Sequence, residues 1–93
     1  MKKNNEEDGW RGFLELCRKA ESPDALDALF GLFLTPQERV DLADRYLIVR
    51  ELMSGERTQR EIAEERNVSI AKITRGSNAL KMIGKDLRRL LES

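Results

Sequence analysis

Between Asn67 and Lys85 this 93-residue chain holds no acidic side chain, although Asp and Glu supply 17 of its residues. Within that stretch Ser69, Ala71, Lys72, Thr74 and Arg75 follow one another closely, with Asn78 and Lys81 further on. They are small, hydrogen-bonding or basic. A helix presenting such residues on its outward face suits the major groove of a duplex, where base edges offer donors, acceptors and methyl groups beside the phosphates. Just upstream, Arg57, Gln59 and Arg60 stand at the start of another helix, where side chains and backbone N–H groups can meet a phosphate. Capping and plain solvation are the other reading of those three.

Other chemistries are thinly represented. With no His and a single Cys17, a Cys–His nucleophile, a Cys/His zinc site and an internal disulfide are all excluded. The carboxylates fall in helix caps or solvated rows and form no catalytic constellation, so we expect no enzyme, no catalytic residue and no metal. The net charge is zero, but residues 1–56 carry 8 basic and 12 acidic side chains while residues 57–93 carry 9 and 5. Such a split could place a positive face at one end of the molecule; ordinary surface variation is the other reading. No apolar run approaches the ~20 residues of a membrane span. The polar start, Met1 to Asp8, lacks the apolar stretch of a secretion signal. These features lead us to expect a cytoplasmic protein without a membrane partner.

The elements that must position these residues are helices. Trp10, Phe13, Leu14 and Cys17 share one face of a helix expected over about 9–20. Ser22-Pro23-Asp24 restarts the chain as N-cap, first helical proline and first-turn acid, and Leu26, Leu29, Phe30 and Phe33 form the second apolar stripe. Thr35-Pro36-Gln37-Glu38 is a capping box opening a long helix to about Met53. There Leu42, Tyr46, Val49 and Met53 make one row, widened by Ala43, Leu47 and Ile48. Gly55 is placed as the residue that ends it. Apolar coverage this broad exceeds what a lone short bundle buries and points to a homodimer, with a compact monomer as the other reading.

Thr58-Gln59-Arg60-Glu61 is a second capping box, starting a short helix to about Arg66. Asn67 tolerates the left-handed conformation of a tight turn, Val68 points inward, and Ser69 caps the next helix. Ile62, Val68 and Ile73 fill the wedge between the two helices, and the small Ala63 permits a steep crossing. This is a helix-turn-helix between Thr58 and Leu80.

With those residues in view, Leu34-Thr35-Pro36 with Glu38-Arg39, then Thr58-Gln59-Arg60-Glu61, then Ile73-Thr74-Arg75-Gly76-Ser77-Asn78, the chain resembles the Trp repressor family. The resemblance is strong from about Leu34 to Lys81 and colinear outside it. It implies an all-α fold of about six helices per chain, intertwined with a second copy in a homodimer that binds double-stranded operator DNA. It also implies L-tryptophan as corepressor. In that family two arginines sandwich the indole, and they correspond to Arg45 and Arg75. Thr35 matches the carboxylate-side threonine, and the main-chain carbonyls of Leu32 and Leu34 from the partner chain would accept from the amine. Gly76 leaves room for the indole edge. The DNA-contacting set would be Gln59, Arg60, Ser69, Ile70, Ala71, Lys72, Thr74 and Lys81.

Residue chemistry alone supports a clamp, since guanidinium planes stack on aromatic faces and grip carboxylates in a fork. It equally allows Arg45 to pair with Asp41 or Asp44, and Arg75 to meet a phosphate. The sequence departs from the family at Ala79, where a serine helps hold the ligand amine, at Lys72, where a threonine is usual, and at Ala63, where a basic residue stands. The Ala79 departure leaves open a DNA binder of the same fold that is ligand-independent or answers another indole compound. By segment we expect a disordered arm over 1–8, a helical dimerisation core over 9–56, the DNA-reading head over 57–82 and a C-terminal helix completing the dimer core over 83–93.

Overall fold

The computed structural model describes residues 5–93, and among these the chain is all-helical, with six helices and no strand. They are α1 (Glu6–Lys19), α2 (Pro23–Phe33), α3 (Pro36–Ser54), α4 (Gln59–Arg66), α5 (Ile70–Lys81) and α6 (Lys85–Glu92). The chain forms two compact units, Met1–Arg39 and Val40–Ser93.

In the first unit α1 begins at Glu6, earlier than the expected start at Gly9. The Asn5 side chain accepts from the Asp8 N–H at 2.9 Å, and Glu6, Glu7 and Asp8 place three acids in the first turn. A capped, acidic first turn is what the helix macrodipole favours, so this polar segment is helical where an arm was expected. Residues 1–4 of that expected arm lie outside the described residues. Ser22 caps α2 by accepting from the Ala25 N–H at 3.1 Å, with Pro23 at the first helical position. The Thr35 hydroxyl accepts from the Glu38 N–H at 3.1 Å while the Glu38 carboxylate accepts from the Thr35 N–H at 2.8 Å, completing the capping box. Phe13 stacks on Trp10 and Phe30 and meets Phe33 edge-on, with centroid separations of 5.5–5.9 Å. No residue of α1 or α2 is fully buried, and Trp10, Leu32 and Phe33 remain 58%, 76% and 51% exposed.

The second unit holds the core: Ile48, Ile62, Ala63 and Ile73 are buried, with Leu52 and Val68 packed against them. Burying an isoleucine completely contributes about 1.5–3 kcal/mol, so Ile62 and Ile73, both fully enclosed, fasten α4 to α5. Of the broad apolar surface of α3, the position that becomes buried is Ile48, while Leu42 and Tyr46 of the expected principal row stay half exposed. That row lies off the side on which Ile48 and Leu52 join the core. Gly55, just beyond α3, takes φ +70, a conformation that costs glycine little. No helix of the described residues is long and apolar enough to cross a membrane.

Candidate functional site

The helix-turn-helix is built by local chemistry. Thr58 accepts from the Glu61 N–H at 3.1 Å and the Glu61 carboxylate accepts from the Thr58 N–H at 2.9 Å, so α4 starts with both donors satisfied. It ends at Asn67, whose φ of 57 and ψ of 46 place it in the left-handed region. The N–H groups of Asn67 and Val68 then donate to the carbonyls of Glu64 and Ala63 at 3.3 and 3.0 Å, closing the turn. Ser69 restarts the chain by accepting from the Lys72 N–H at 3.2 Å. Between the two helices Ile62, Ala63 and Ile73 are buried against one another.

On the outer surface Arg60, Ser69, Ile70, Ala71, Thr74 and Lys81 are all exposed. Thr74 donates its hydroxyl to Gln59 Oε1 at 3.2 Å, joining the start of α4 to the second turn of α5. With its carbonyl oxygen engaged, the Gln59 amide keeps its two N–H donors for an acceptor such as a phosphate. Arg60 and Ile70 border one shallow concavity beside the turn. Arg57 is otherwise employed: it is ion-paired with Glu65, and it reaches Glu51 at 4.0 Å. Glu51 also accepts from Arg66 at 3.1 Å, so a chain of charges ties the end of α3 to α4. The sequence reading considered Arg57 for phosphate and did not foresee this use.

Behind α5 lies a cavity of about 440 Å³. Arg45, Ile48 and Val49 of α3 form one wall and Lys72, Arg75, Gly76, Ala79 and Leu80 of α5 another. Ile83, with Leu87 and Leu91 of α6, closes it. Helix α6 is held there in part by Arg88, which donates to the Leu80 carbonyl at 3.1 Å and so caps the end of α5. The structure thus brings Arg45, Arg75, Gly76 and Ala79 together around one chamber. Neither arginine forms an ion pair with the described residues, so the pairing of Arg45 with Asp41 or Asp44 is not made. A methyl group built on Gly76 would stand 3.5 Å from Leu52 Cδ1 and 3.7 Å from Ile48 Cγ2. Those are ordinary contacts, so the glycine is not demanded by packing within the chain. Two unpaired guanidinium groups over an apolar floor can hold an aromatic carboxylate, ring between the planes and carboxylate in a fork.

Leu32, Leu34 and Thr35 belong to the other unit. Leu32 is exposed near the end of α2, Leu34 caps that helix, and the Thr35 hydroxyl, an acceptor in its capping box, retains its proton for donation. Lys72, which the sequence reading placed with the DNA-facing residues, is half-buried and lines the cavity. The contribution of Ile83, Leu87 and Leu91 was also missed. Their spacing from Leu80, at i+3, i+7 and i+11, was the available signal. Among the described residues no group of His, Cys, Asp or Glu is arranged to hold a metal.

The sequence profile described as "Trp repressor protein" matches residues 8–93. A Trp operon repressor homolog of Chlamydia trachomatis serovar D is 54% identical over 90 residues, covering 97% of this chain and 96% of that protein. Its counterpart in Chlamydia caviae is 50% identical over 93 residues, covering 100% and 92%. A Trp operon repressor homolog of Photobacterium profundum is 43% identical over 84 residues, covering 90% and 82%.

Proposed function

This chain belongs to the Trp repressor family, and on that premise we propose that it is a tryptophan-dependent transcriptional repressor. In this reading it is a homodimer that binds operator DNA with L-tryptophan as corepressor. The observation that carries the reading is the two-sidedness of α5, along which Ile70, Ala71 and Thr74 are exposed after the Ser69 cap while Arg75, Gly76 and Ala79 line the cavity.

L-Tryptophan enters with its indole between the guanidinium planes of Arg45 and Arg75, and its carboxylate meets Arg75. Ala79 offers no hydroxyl, so the amine relies on main-chain carbonyls, those of the partner's Leu32 and Leu34. Filling the chamber fixes α5 against α3 and so holds the reading head at one angle. In a two-fold dimer the two heads must fall about 34 Å apart to enter successive major grooves, and Gln59, Arg60 and Lys81 then meet backbone phosphates. Couplings of this kind amount to about 1–3 kcal/mol. The exposed Trp10, Leu32 and Phe33 supply apolar surface for a second copy.

Titration calorimetry tests the reading. Saturable L-tryptophan binding that Arg45→Ala and Arg75→Ala each weaken is expected, and absence of binding at millimolar ligand counts against it. A second reading, a binder of the same fold that is ligand-independent or answers another indole compound, is favoured by Ala79 and by the lack of any carboxylate lining the cavity. It predicts duplex binding that L-tryptophan leaves unchanged.

A further inference from the structure

We propose that Lys72 is a charge-selecting residue of the ligand cavity, favouring aromatic carboxylates of net negative charge over zwitterions, and not a DNA-reading residue. This rests on the cavity being the ligand site. Three observations converge on Lys72. It stands at i with Arg75 and Gly76 at i+3 and i+4 and Ala79 at i+7, which is the cavity face of α5. It is half-buried while Ala71 and Thr74, its neighbours on the outward side, are exposed. Its ammonium has no carboxylate partner among the described residues.

The position is also poor for a lysine kept only for folding. Lys72 is the third residue of α5, and a cation in a first turn opposes the helix macrodipole. A long aliphatic stem lying along an apolar wall with its charge at the rim accounts for both the burial and the missing partner.

The consequence is electrostatic. Arg45, Lys72 and Arg75 put three cations and no anion around one largely apolar chamber, and low-dielectric walls strengthen their field on a bound charge. The carboxylate of a zwitterion is drawn to Lys72 while its ammonium is repelled, so the two effects largely cancel. A ligand with the same ring and carboxylate but no amine keeps the whole attraction.

Titration calorimetry on the full chain, with L-tryptophan and indole-3-propionate as probes, tests this in the unsubstituted protein, Lys72→Gln and Lys72→Arg. A half-exposed charge pair corresponds to a few-fold in affinity. Lys72→Gln is therefore expected to weaken indole-3-propionate about threefold to fivefold and L-tryptophan less than about twofold. Lys72→Arg should restore the ratio, and ligand-free duplex affinity should keep its salt dependence. An equal effect on both probes overturns the proposal. So does a drop in ligand-free duplex affinity with a salt slope shallower by about one, the mark of a lost phosphate contact. If the unsubstituted chain binds neither probe, the ligand-site reading itself falls and the proposal with it. That result is distinct from intact binding with an unchanged ratio.

Discussion

Replacing Gly76 with alanine separates what the fold needs at this position from what the cavity needs. Gly76 sits in mid-α5, where alanine is favoured over glycine by about 0.5–1 kcal/mol because the unfolded chain loses freedom. Its new methyl would lie 3.5 Å from Leu52 Cδ1 and 3.7 Å from Ile48 Cγ2, in ordinary contact and without displacing either. Gly76→Ala should therefore stabilise the ligand-free protein by roughly that amount, raising the thermal midpoint by a few degrees. The same methyl projects from the α5 wall toward Ile48, which lines the cavity, and it takes space from a ligand lying against that wall. Overfilling a packed site costs about 1–3 kcal/mol, so L-tryptophan affinity should fall about 5-fold to 150-fold. Thermal unfolding and titration calorimetry on the same preparation read both effects. A variant that is more stable yet binds L-tryptophan as before would refute the placement of the ligand against Gly76. A variant that is less stable would refute the packing argument.

Truncating the fully enclosed Ile73 or Ile62 to alanine should cost about 2–5 kcal/mol in denaturant unfolding, because either leaves a cavity where α4 meets α5. Asn67→Val should destabilise the turn by about 1–2 kcal/mol while Asn67→Gly is nearly neutral, since a β-branched residue resists the left-handed conformation found there. Arg60→Ala should weaken duplex binding for all sequences and make its salt slope shallower by about one, if its guanidinium meets a phosphate.

The parts of the fold legible in the sequence are those made by residues close in the chain. Thr58 and Glu61, Thr35 and Glu38, and Ser22 with Pro23 announce their helices because a cap joins positions three apart. Asn67 marks the turn because few side chains accept its φ, and the buried Ile62, Ala63 and Ile73 follow from helical periodicity. What was not legible depends on partners distant in sequence. Ile48, not the Leu42–Tyr46 row, became the buried position of α3 because α4 and α5 supply the covering surface. Arg57 was drawn to Glu65 and Glu51 for the same reason. Lys72 reads as a groove residue by type, and its place in the cavity lining depends on residues of α3 and α6 far from it in the chain. The early start of α1 was missed differently, by reading the acids Glu6, Glu7 and Asp8 as solvated when they are a first-turn pattern.

In the proposed function one helix serves two ligands, so filling the cavity and binding DNA are linked. Affinity for a duplex selected by this protein from a random pool, measured across a titration of L-tryptophan, tests it most directly. A rise of about 5-fold to 150-fold that levels off once the ligand is saturating is expected, with tryptophan binding tighter to the protein–DNA complex by the same factor. Duplex affinity that stays constant while calorimetry shows the cavity filling would contradict it.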